Sequence, residues 1–468
     1  MNTKIVATLG PASDGPDIIG GLMEAGVDVF RLNAAHGSPE DHRLRIQRVR
    51  ELSPDPEVRP AILVDLQGPK IRLGVFESGS ATLATGSDFV ITTEPVLGTA
   101  QRASTNYPGF ARDVRPGDHV LLADGSVELR VLETDGVAVR CRVVSGGPVW
   151  DRKGINVPGV RLAVGSLTDK DLKDLQLAVS AGVDLVGLSF VRTAEDVRAL
   201  RRRMEALGAR RPIVAKIEKP EAWQNLDAIL EEADGLMVAR GDLGVELALE
   251  KVPFVQKAVI QRARRLGRFV ITATQMLESM VQNPFPTRAE VSDVANAIYD
   301  GSDAVMLSAE TSVGHYPLEA ARMMARIIAE TESTLGNWEP PGSAPAPVSD
   351  APILADAAIR VARCSSAAAV AVFTVSGATA RLVAAHRPRV PIYAFTPQAA
   401  VARQLTPVYG VEPILTPPMT STDQMVAYLD RALLERGASA GARVVFVAGQ
   451  PLGRPGITNL LKLHVIGS

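Results

Sequence analysis

Cysteine is nearly absent from this 468-residue chain, with Cys141 and Cys364 as the only two. Such a pair makes neither a disulfide framework nor a zinc site, and both read as packing residues. Aromatic residues are scarce at 4%, and charges of both signs are interspersed to a formal net charge of -2. That pattern excludes a basic, aromatic-lined nucleic-acid face. Even the Arg201-Arg202-Arg203 run lies away from the apolar face of its helix and reads as a solvated surface. No uncharged apolar run approaches the roughly 20 residues that cross a bilayer, so no membrane partner is expected. Met1-Asn2-Thr3 leads into an apolar strand without the charged lead and hydrophobic core of a signal peptide, which makes the cytoplasm the expected location. What is plentiful is apolar surface: 46% hydrophobic residues over this length suffice for two or three domains with real cores.

The most informative stretch is 213–244. It opens on Ile213-Val-Ala-Lys216-Ile-Glu218 and closes on Met237-Val-Ala-Arg240-Gly241-Asp242-Leu-Gly244. Both apolar runs read as buried parallel strands. Lys216 and Glu218 are two apart, so their side chains share one face of the first strand. Asp242 follows the second strand in a Gly-Asp-Leu-Gly turn. One cation and two carboxylates then meet at the C-terminal ends of neighbouring strands, where parallel α/β proteins build active sites. Two carboxylates with water positions to spare suit Mg²⁺, and the lysine can neutralise a phosphoryl group or a developing enolate. A structural Lys–Glu pair beside a turn aspartate fits the same residues, so the choice rests on the remainder of the chain.

The first two thirds of the chain repeat one unit. Strand 5–9, a Gly10-Pro11-Ala12-Ser13 turn and an amphipathic segment end at Ala25-Gly26, and a new strand starts at 27. The same wording returns in Ala181-Gly182-Val183-Asp184 and Asp300-Gly301-Ser302-Asp303. A glycine after each helix supplies the left-handed stop, and Thr168 with Asp171 forms a capping box. Strand starts near Ile5, Val27, Ala61, Val183, Ile213, Gly235, Phe269 and Asp303 alternate with helices. This predicts an α/β fold built on a (β/α)₈ TIM barrel rather than an open doubly wound sheet, spanning 1–69 and 158–334. Between 70 and 157 helical periodicity gives way to alternating segments such as 127–131 and 137–141, separated by Asp124-Gly125 and Asp135-Gly136. These read as hairpins of a small inserted β-barrel lid domain, which excludes water when it closes. Residues 335–349 contain four prolines and read as a linker. The rest, 350–468, reads as a C-terminal open-sheet α/β domain with strands near 369–373, 392–395, 413–415, 444–447 and 463–466. Its first strand ends in Thr374-Val-Ser376-Gly377-Ala-Thr379 before a helix. The free amides of such a turn can hold a phosphate, and an ordinary strand-to-helix turn explains it equally well.

With these segments placed, the chain resembles the pyruvate kinases over nearly its whole length. The resemblance is carried by Thr3-Lys-Ile-Val, Arg31-Leu-Asn33, Gly68-Pro69, Lys216-Ile-Glu218, Arg240-Gly-Asp-Leu-Gly244, Ala273-Thr274-Gln-Met-Leu-Glu-Ser-Met280 and the run 286–296. It implies a glycolytic phosphotransferase, dependent on Mg²⁺ or Mn²⁺, that moves the phosphoryl group of phosphoenolpyruvate to ADP and protonates the remaining enolate to pyruvate. It implies Glu218 and Asp242 on the metal, Lys216 against the phosphoryl group and the enolate oxygen, and Arg31 on the phosphate. The Gly241 and Asp242 amides are expected on the substrate carboxylate, with Ser189 among the substrate contacts. Thr274 falls near the enolate carbon that accepts the proton; its hydroxyl pKa is too high for a free acid, so positioning is its expected part. Asn33, His36, Arg72 and Lys153 fall where the family meets ADP, although His36 taken alone reads as a structural histidine. Thr374, Ser376, Gly377 and Thr379 fall where many members bind a phosphorylated allosteric effector, and a homotetramer is expected.

Departures from the family's pattern surround its monovalent-cation site. Ala35 stands where many members have a serine ligand, and Asp65-Leu66-Gln67-Gly68-Pro69-Lys70 replaces Asp-Thr-Lys-Gly-Pro-Glu. Potassium and an ammonium carry equal charge, so Lys70 is expected to supply the charge that K⁺ supplies elsewhere, as in the potassium-independent branch. Asp65 and Lys70 about 4 Å apart would attract by roughly 4 kcal/mol at an effective dielectric of 20, before desolvation. Two other readings compete. Another Mg²⁺-dependent barrel acting on a pyruvate enolate, an aldolase or lyase, needs no basic lid for a nucleotide. A sensor of phosphoenolpyruvate without turnover needs no Thr274 beside Lys216, Glu218 and Asp242.

Overall fold

The structure is a computed structural model and describes residues 1–55, 57–160, 162–335, 350–452 and 456–468. Apart from Leu335, the linker expected at 335–349 lies outside the described residues. Eight apolar segments form strands: β1 (Lys4–Leu9), β2 (Val29–Asn33), β3 (Ala61–Leu66), β4 (Leu185–Leu188), β5 (Ile213–Ile217), β6 (Gly235–Ala239), β7 (Phe269–Ala273) and β8 (Ala304–Leu307). Each pairs in parallel with its neighbours and β8 closes onto β1, which makes the barrel read from the strand–helix alternation. The strands are buried on both faces, by helices outside and by one another's side chains within. Thr168 and Asp171 form the expected capping box. Gly26, Gly182 and Gly301 end their helices at φ of 94°, 72° and 95°, a conformation strained for any residue with a Cβ.

The aspartate that closes each repeat has a defined task at the bottom of the barrel. The carboxylates of Asp28, Asp184, Asp234 and Asp303 accept the backbone N–H of Ile5, Ile62, Ile213 and Val270, respectively, at 2.8–3.0 Å. Each aspartate precedes an even-numbered strand and reaches the start of the odd-numbered strand before it. A two-strand unit therefore recurs four times round the barrel. Cations face the same carboxylates: Lys4 lies 3.8 Å from Asp28, Arg50 and Arg403 lie 2.5 and 2.6 Å from Asp184, Arg201 lies 3.1 Å from Asp234, and Arg387 lies 2.9 Å from Asp303. Arg201 is thereby corrected from a solvated residue to an ion-pair partner. Arg387 and Arg403 come from the C-terminal domain, which docks on the barrel's lower rim.

The insertion after β3 forms a six-stranded sheet and a two-stranded ribbon round its own core, a small barrel-like body that includes Phe89, Val120, Leu129 and Val139. Asp124-Gly125 and Asp135-Gly136 turn antiparallel hairpins there, as their composition predicts. Cys141 is buried in this core, which pushes its thiol up to about 12. Cys364, expected to pack, is instead exposed at the end of the helix Asp350–Cys364.

The C-terminal domain is a sheet of β9 (Ala369–Phe373), β10 (Ile392–Thr396), β11 (Val411–Leu415), β12 (Arg443–Ala448) and β13 (Leu460–Val465). Its order is β11-β10-β9-β12-β13 and only the last pairing is antiparallel. The order reverses at β9, so the crevice beyond its C-terminal end is where such a sheet receives ligands. Among the described residues no helix is long and apolar enough to cross a membrane.

Candidate active site

β5 and β6 pair side by side, and the short helix Arg240–Glu246 leaves the end of β6. Lys216 Nζ lies 3.1 Å from Glu218 Oε2 and 3.6 Å from Asp65 Oδ2, and donates to Ser189 Oγ at 2.8 Å. The amine therefore faces polar groups at the barrel mouth. Burial works against its charge, but the carboxylates of Asp65, Glu218 and Asp242 together outweigh burial and raise its pKa above the ordinary lysine value. Lys216 is a permanent cation at any physiological pH.

Glu218 is placed differently. Burial is the main influence on its carboxyl and Asp242 adds to it, so its pKa is raised despite Lys216. Oε1 accepts the Phe190 N–H at 2.6 Å. Oε2 is buried, forms no hydrogen bond of regular geometry and faces the Lys216 ammonium at 3.1 Å. Asp242 is half-buried in the first turn of its helix, and among the described residues its carboxylate enters no hydrogen bond or ion pair. The oxygens of Glu218 and Asp242 fit a hard divalent cation. No cluster of three or more acidic, histidine or cysteine residues able to hold a metal occurs among the described residues. Two protein carboxylates would leave positions for substrate and water, as Mg²⁺ prefers.

Asp65 corrects one expectation. It is 1% exposed and is held by Arg31, whose Nε and Nη2 donate to Oδ2 at 2.9 and 2.7 Å, and by Lys216. Among the described residues it makes no ion pair with Lys70. The physical reason is register: Arg31 on β2 pairs with Leu63 on β3, so its guanidinium reaches Asp65 two residues further along the same face. The pKa of Asp65 is lowered, because Lys216 and Arg31 together overcome the effect of burial. Lys70 lies beyond the Gly68-Pro69 turn, half-buried, with its stem near Gly154 of the lid.

Thr274 follows β7 at φ 65° and Gln275 comes next at 55°, a strained conformation for a β-branched residue. Arg240 holds it there. Its Nη2 donates to Thr274 O at 2.7 Å and Gln275 O at 3.3 Å, while Nη1 lies 2.7 Å from Asp293. Thr274 Oγ1 donates to Ala273 O at 2.6 Å and accepts the Gly241 N–H at 2.8 Å. The Gly241 amide, expected to face a substrate carboxylate, is thus engaged by Thr274, because the left-handed turn swings that hydroxyl across the helix start. Arg240 lay in the quoted motif without a role; its partners are 16 to 53 residues away and leave no local signal.

Asn33 and His36 sit at the end of β2, where Asn33 Oδ1 accepts the Ala35 N–H at 3.1 Å. Arg72 and Lys153 lie on the two connections to the lid and are brought together by a bridge between Arg72 and Gly154. Arg72 donates to Arg152 O at 3.2 Å, and Lys153 Nζ stands 5.6 Å over the Trp150 ring. Burial first, then Arg72 and Lys70, push the His36 pKa down. His36 is therefore a neutral imidazole facing cations. In the C-terminal domain, Thr374, Ser376 and Thr379 line a cavity of about 200 Å³ with Phe373, Phe395 and Met419. Gly377, at φ 78°, donates its N–H to Thr374 Oγ1 at 2.9 Å, and Thr379 Oγ1 lies 2.7 Å from Thr458 Oγ1. Three of the four residues expected to meet a phosphate, Thr374, Gly377 and Thr379, are thus engaged within the protein.

A lidded (β/α)₈ barrel with a fixed ammonium among carboxylates at its strand ends defines a three-domain TIM-barrel enzyme. The family model described as pyruvate kinase, barrel domain, matches residues 1–321, and that described as pyruvate kinase, alpha/beta domain, matches residues 353–464. The chain belongs to the pyruvate kinase family and is a phosphotransferase. It is 47% identical over 465 residues to a pyruvate kinase of Mycobacterium tuberculosis, covering 99% of this chain and 98% of that one. It is 45% identical over 468 residues to a pyruvate kinase of Corynebacterium glutamicum, with the same coverage. A crystal structure of a pyruvate kinase from Cryptosporidium parvum matches with a TM-score of 0.91 at 34% identity, covering 99% of this chain and 96% of that one.

Proposed function

We propose that the protein transfers the phosphoryl group of phosphoenolpyruvate to ADP, giving pyruvate and ATP, with Mg²⁺ or Mn²⁺ held by Glu218 and Asp242. The observation that supports this reading is the meeting of two carboxylates, buried Glu218 and half-buried Asp242, beside a permanently charged Lys216 that lies 3.1 Å from Glu218. A divalent cation seated there supplies positive charge to phosphoryl and enol oxygens. Lys216, oriented by Ser189, presents a second charge that needs no reorganisation as negative charge develops on the enol oxygen. Arg31, braced by Asp65, offers its guanidinium edge to the phosphate. Thr274, fixed in its strained turn, orders the water that brings a proton to the enolate carbon. Asn33, neutral His36, Arg72 and Lys153 receive ADP as the lid of residues 70–157 closes. Release of pyruvate that requires both ADP and a divalent cation is the expected assay result. Release without ADP, or none from either nucleotide or metal addition, would overturn the reading.

Lys70 takes the place of a monovalent cation, supported by the hydroxyl missing at Ala35. Asp65 is already neutralised by Arg31 and Lys216, so the charge of Lys70 is directed to the nucleotide side, near His36. The turn of Thr374, Ser376, Gly377 and Thr379 receives a phosphorylated effector, supported by its place at the switch point of the C-terminal sheet, and the chain acts as a homotetramer. Titration with sugar phosphates and AMP at subsaturating phosphoenolpyruvate tests the first, and a solution mass tests the second. Unmoved saturation curves, or a monomer mass, would remove them.

A further inference from the structure

The lid is tied to the barrel by more than its connecting chain. Asn156, in the last lid strand Ile155–Asn156, donates Nδ2 to Glu246 Oε1 at 2.8 Å. The same oxygen accepts Lys219 Nζ at 2.6 Å. Glu246 is 6% exposed and stands four residues after Asp242 on the helix Arg240–Glu246, so the two carboxylates share one face of it. Lys219 directly follows Glu218. Its ammonium lies 5.4 Å over the ring of Phe190, the residue whose N–H holds Glu218 Oε1. Behind each carboxylate of the site there is thus one member of a cluster centred on buried Glu246, whose third member belongs to the lid.

We propose that Glu246 is a positioning residue, and that with Asn156 and Lys219 it forms a latch coupling the lid's angle to the placement of Asp242 and Glu218. This rests on the divalent-cation reading above. When the lid swings, Asn156 either leaves Glu246 or draws the helix bearing Asp242 with it. A charge-assisted hydrogen bond to a buried carboxylate is costly to break without replacement. Asn156, Lys219, Asp242 and Glu246 line one cavity of about 40 Å³, so the latch and the carboxylate it positions share the same small space. Coupling of this kind is reciprocal: what fixes the carboxylates also fixes the hinge.

Two measurements on the full chain test the latch. In hydrogen exchange, Mn²⁺ is expected to slow the amides of 153–157 in the wild type. In Mn²⁺ titration followed by electron paramagnetic resonance, Asn156→Ala is expected to weaken binding about 5-fold or more, and to raise the KM for ADP more than it lowers kcat. Asn156→Asp, which sets a second carboxylate against Glu246, weakens Mn²⁺ further. Mn²⁺ that binds while hinge exchange stays unchanged overturns the latch, as does unaltered affinity in a folded Asn156→Ala. If that variant does not fold, the wild-type exchange experiment decides. Mn²⁺ that fails to bind the wild type overturns the cation reading, and the latch with it.

Discussion

The two ends of the barrel carry the same kinds of side chain and use them in opposite ways. At the bottom, Asp28, Asp184, Asp234 and Asp303 each accept a backbone N–H and face a cation. At the mouth, Lys216 is shared between Glu218 and Asp65, which Arg31 also grips, and among the described residues Asp242 has no cation of its own. Matched charge holds the fold together. A carboxylate left with a shared cation or none lowers stability and persists where a ligand completes it. The difference separates the rim that stabilises the barrel from the rim that acts, in keeping with the division of labour between the two faces of this fold.

The contrast can be broken from either end. Asp303→Ala leaves Arg387, whose side chain is 5% exposed and whose Nε already lacks a partner, without its counter-charge. The expected loss is about 3–5 kcal/mol in urea unfolding, with the activity of the folded fraction retained. Inactivity at undiminished stability would reverse the assignment of the two rims. Glu218→Gln works the other way. It is expected to lower kcat about 10²–10³-fold, as removal of a transition-state electrostatic contact does, while metal-free stability at pH 7 stays equal or rises. The rise follows because burial already disfavours the ionised carboxylate.

That raised pKa also sets a pH window. Its folded value lies above the ordinary 4.5, through burial and then Asp242 against Lys216, so the protonated form favours the fold. The contribution is complete below 4.5 and is lost as pH rises through the folded value. Proton and cation compete for the same oxygen, so Mn²⁺ affinity falls as pH drops towards that value. Calorimetric titrations across the acidic range check this, and a flat profile would place the cation elsewhere. The smallest effect is expected from the monovalent ion: activity in sodium or tetramethylammonium buffer within about two-fold of that in potassium, since Lys70 carries an equal charge. A large stimulation by K⁺ would remove Lys70 from that role.

The barrel was legible because a strand buried on both faces leaves a continuous apolar run. Val27 and Val183 as expected starts precede the observed Val29 and Leu185 by two residues, for one reason. Gly-Val-Asp continues the apolar run, but its aspartate is spent on the neighbouring strand's N–H before pairing begins. The aspartates themselves stood in the repeated wording, yet their partners did not. Arg403 reaches Asp184 across 219 positions and Arg387 reaches Asp303 across 84. The same limit applies at the mouth. Strand period two put Lys216 beside Glu218, while sequence proximity put Lys70 beside Asp65, where register gave that place to Arg31. The positive φ of Thr274 leaves no trace in composition, since threonine is among the residues least suited to it, and it is Arg240 from another strand end that holds the turn.

Direct titration of Mn²⁺ against the wild type, Glu218→Gln and Asp242→Asn, followed by electron paramagnetic resonance, tests the central claim. The Glu218 and Asp242 carboxylates at the mouth predict one tight ion per chain in the wild type and its loss in both variants, with all three proteins folded. Tight binding that survives both substitutions would contradict the account.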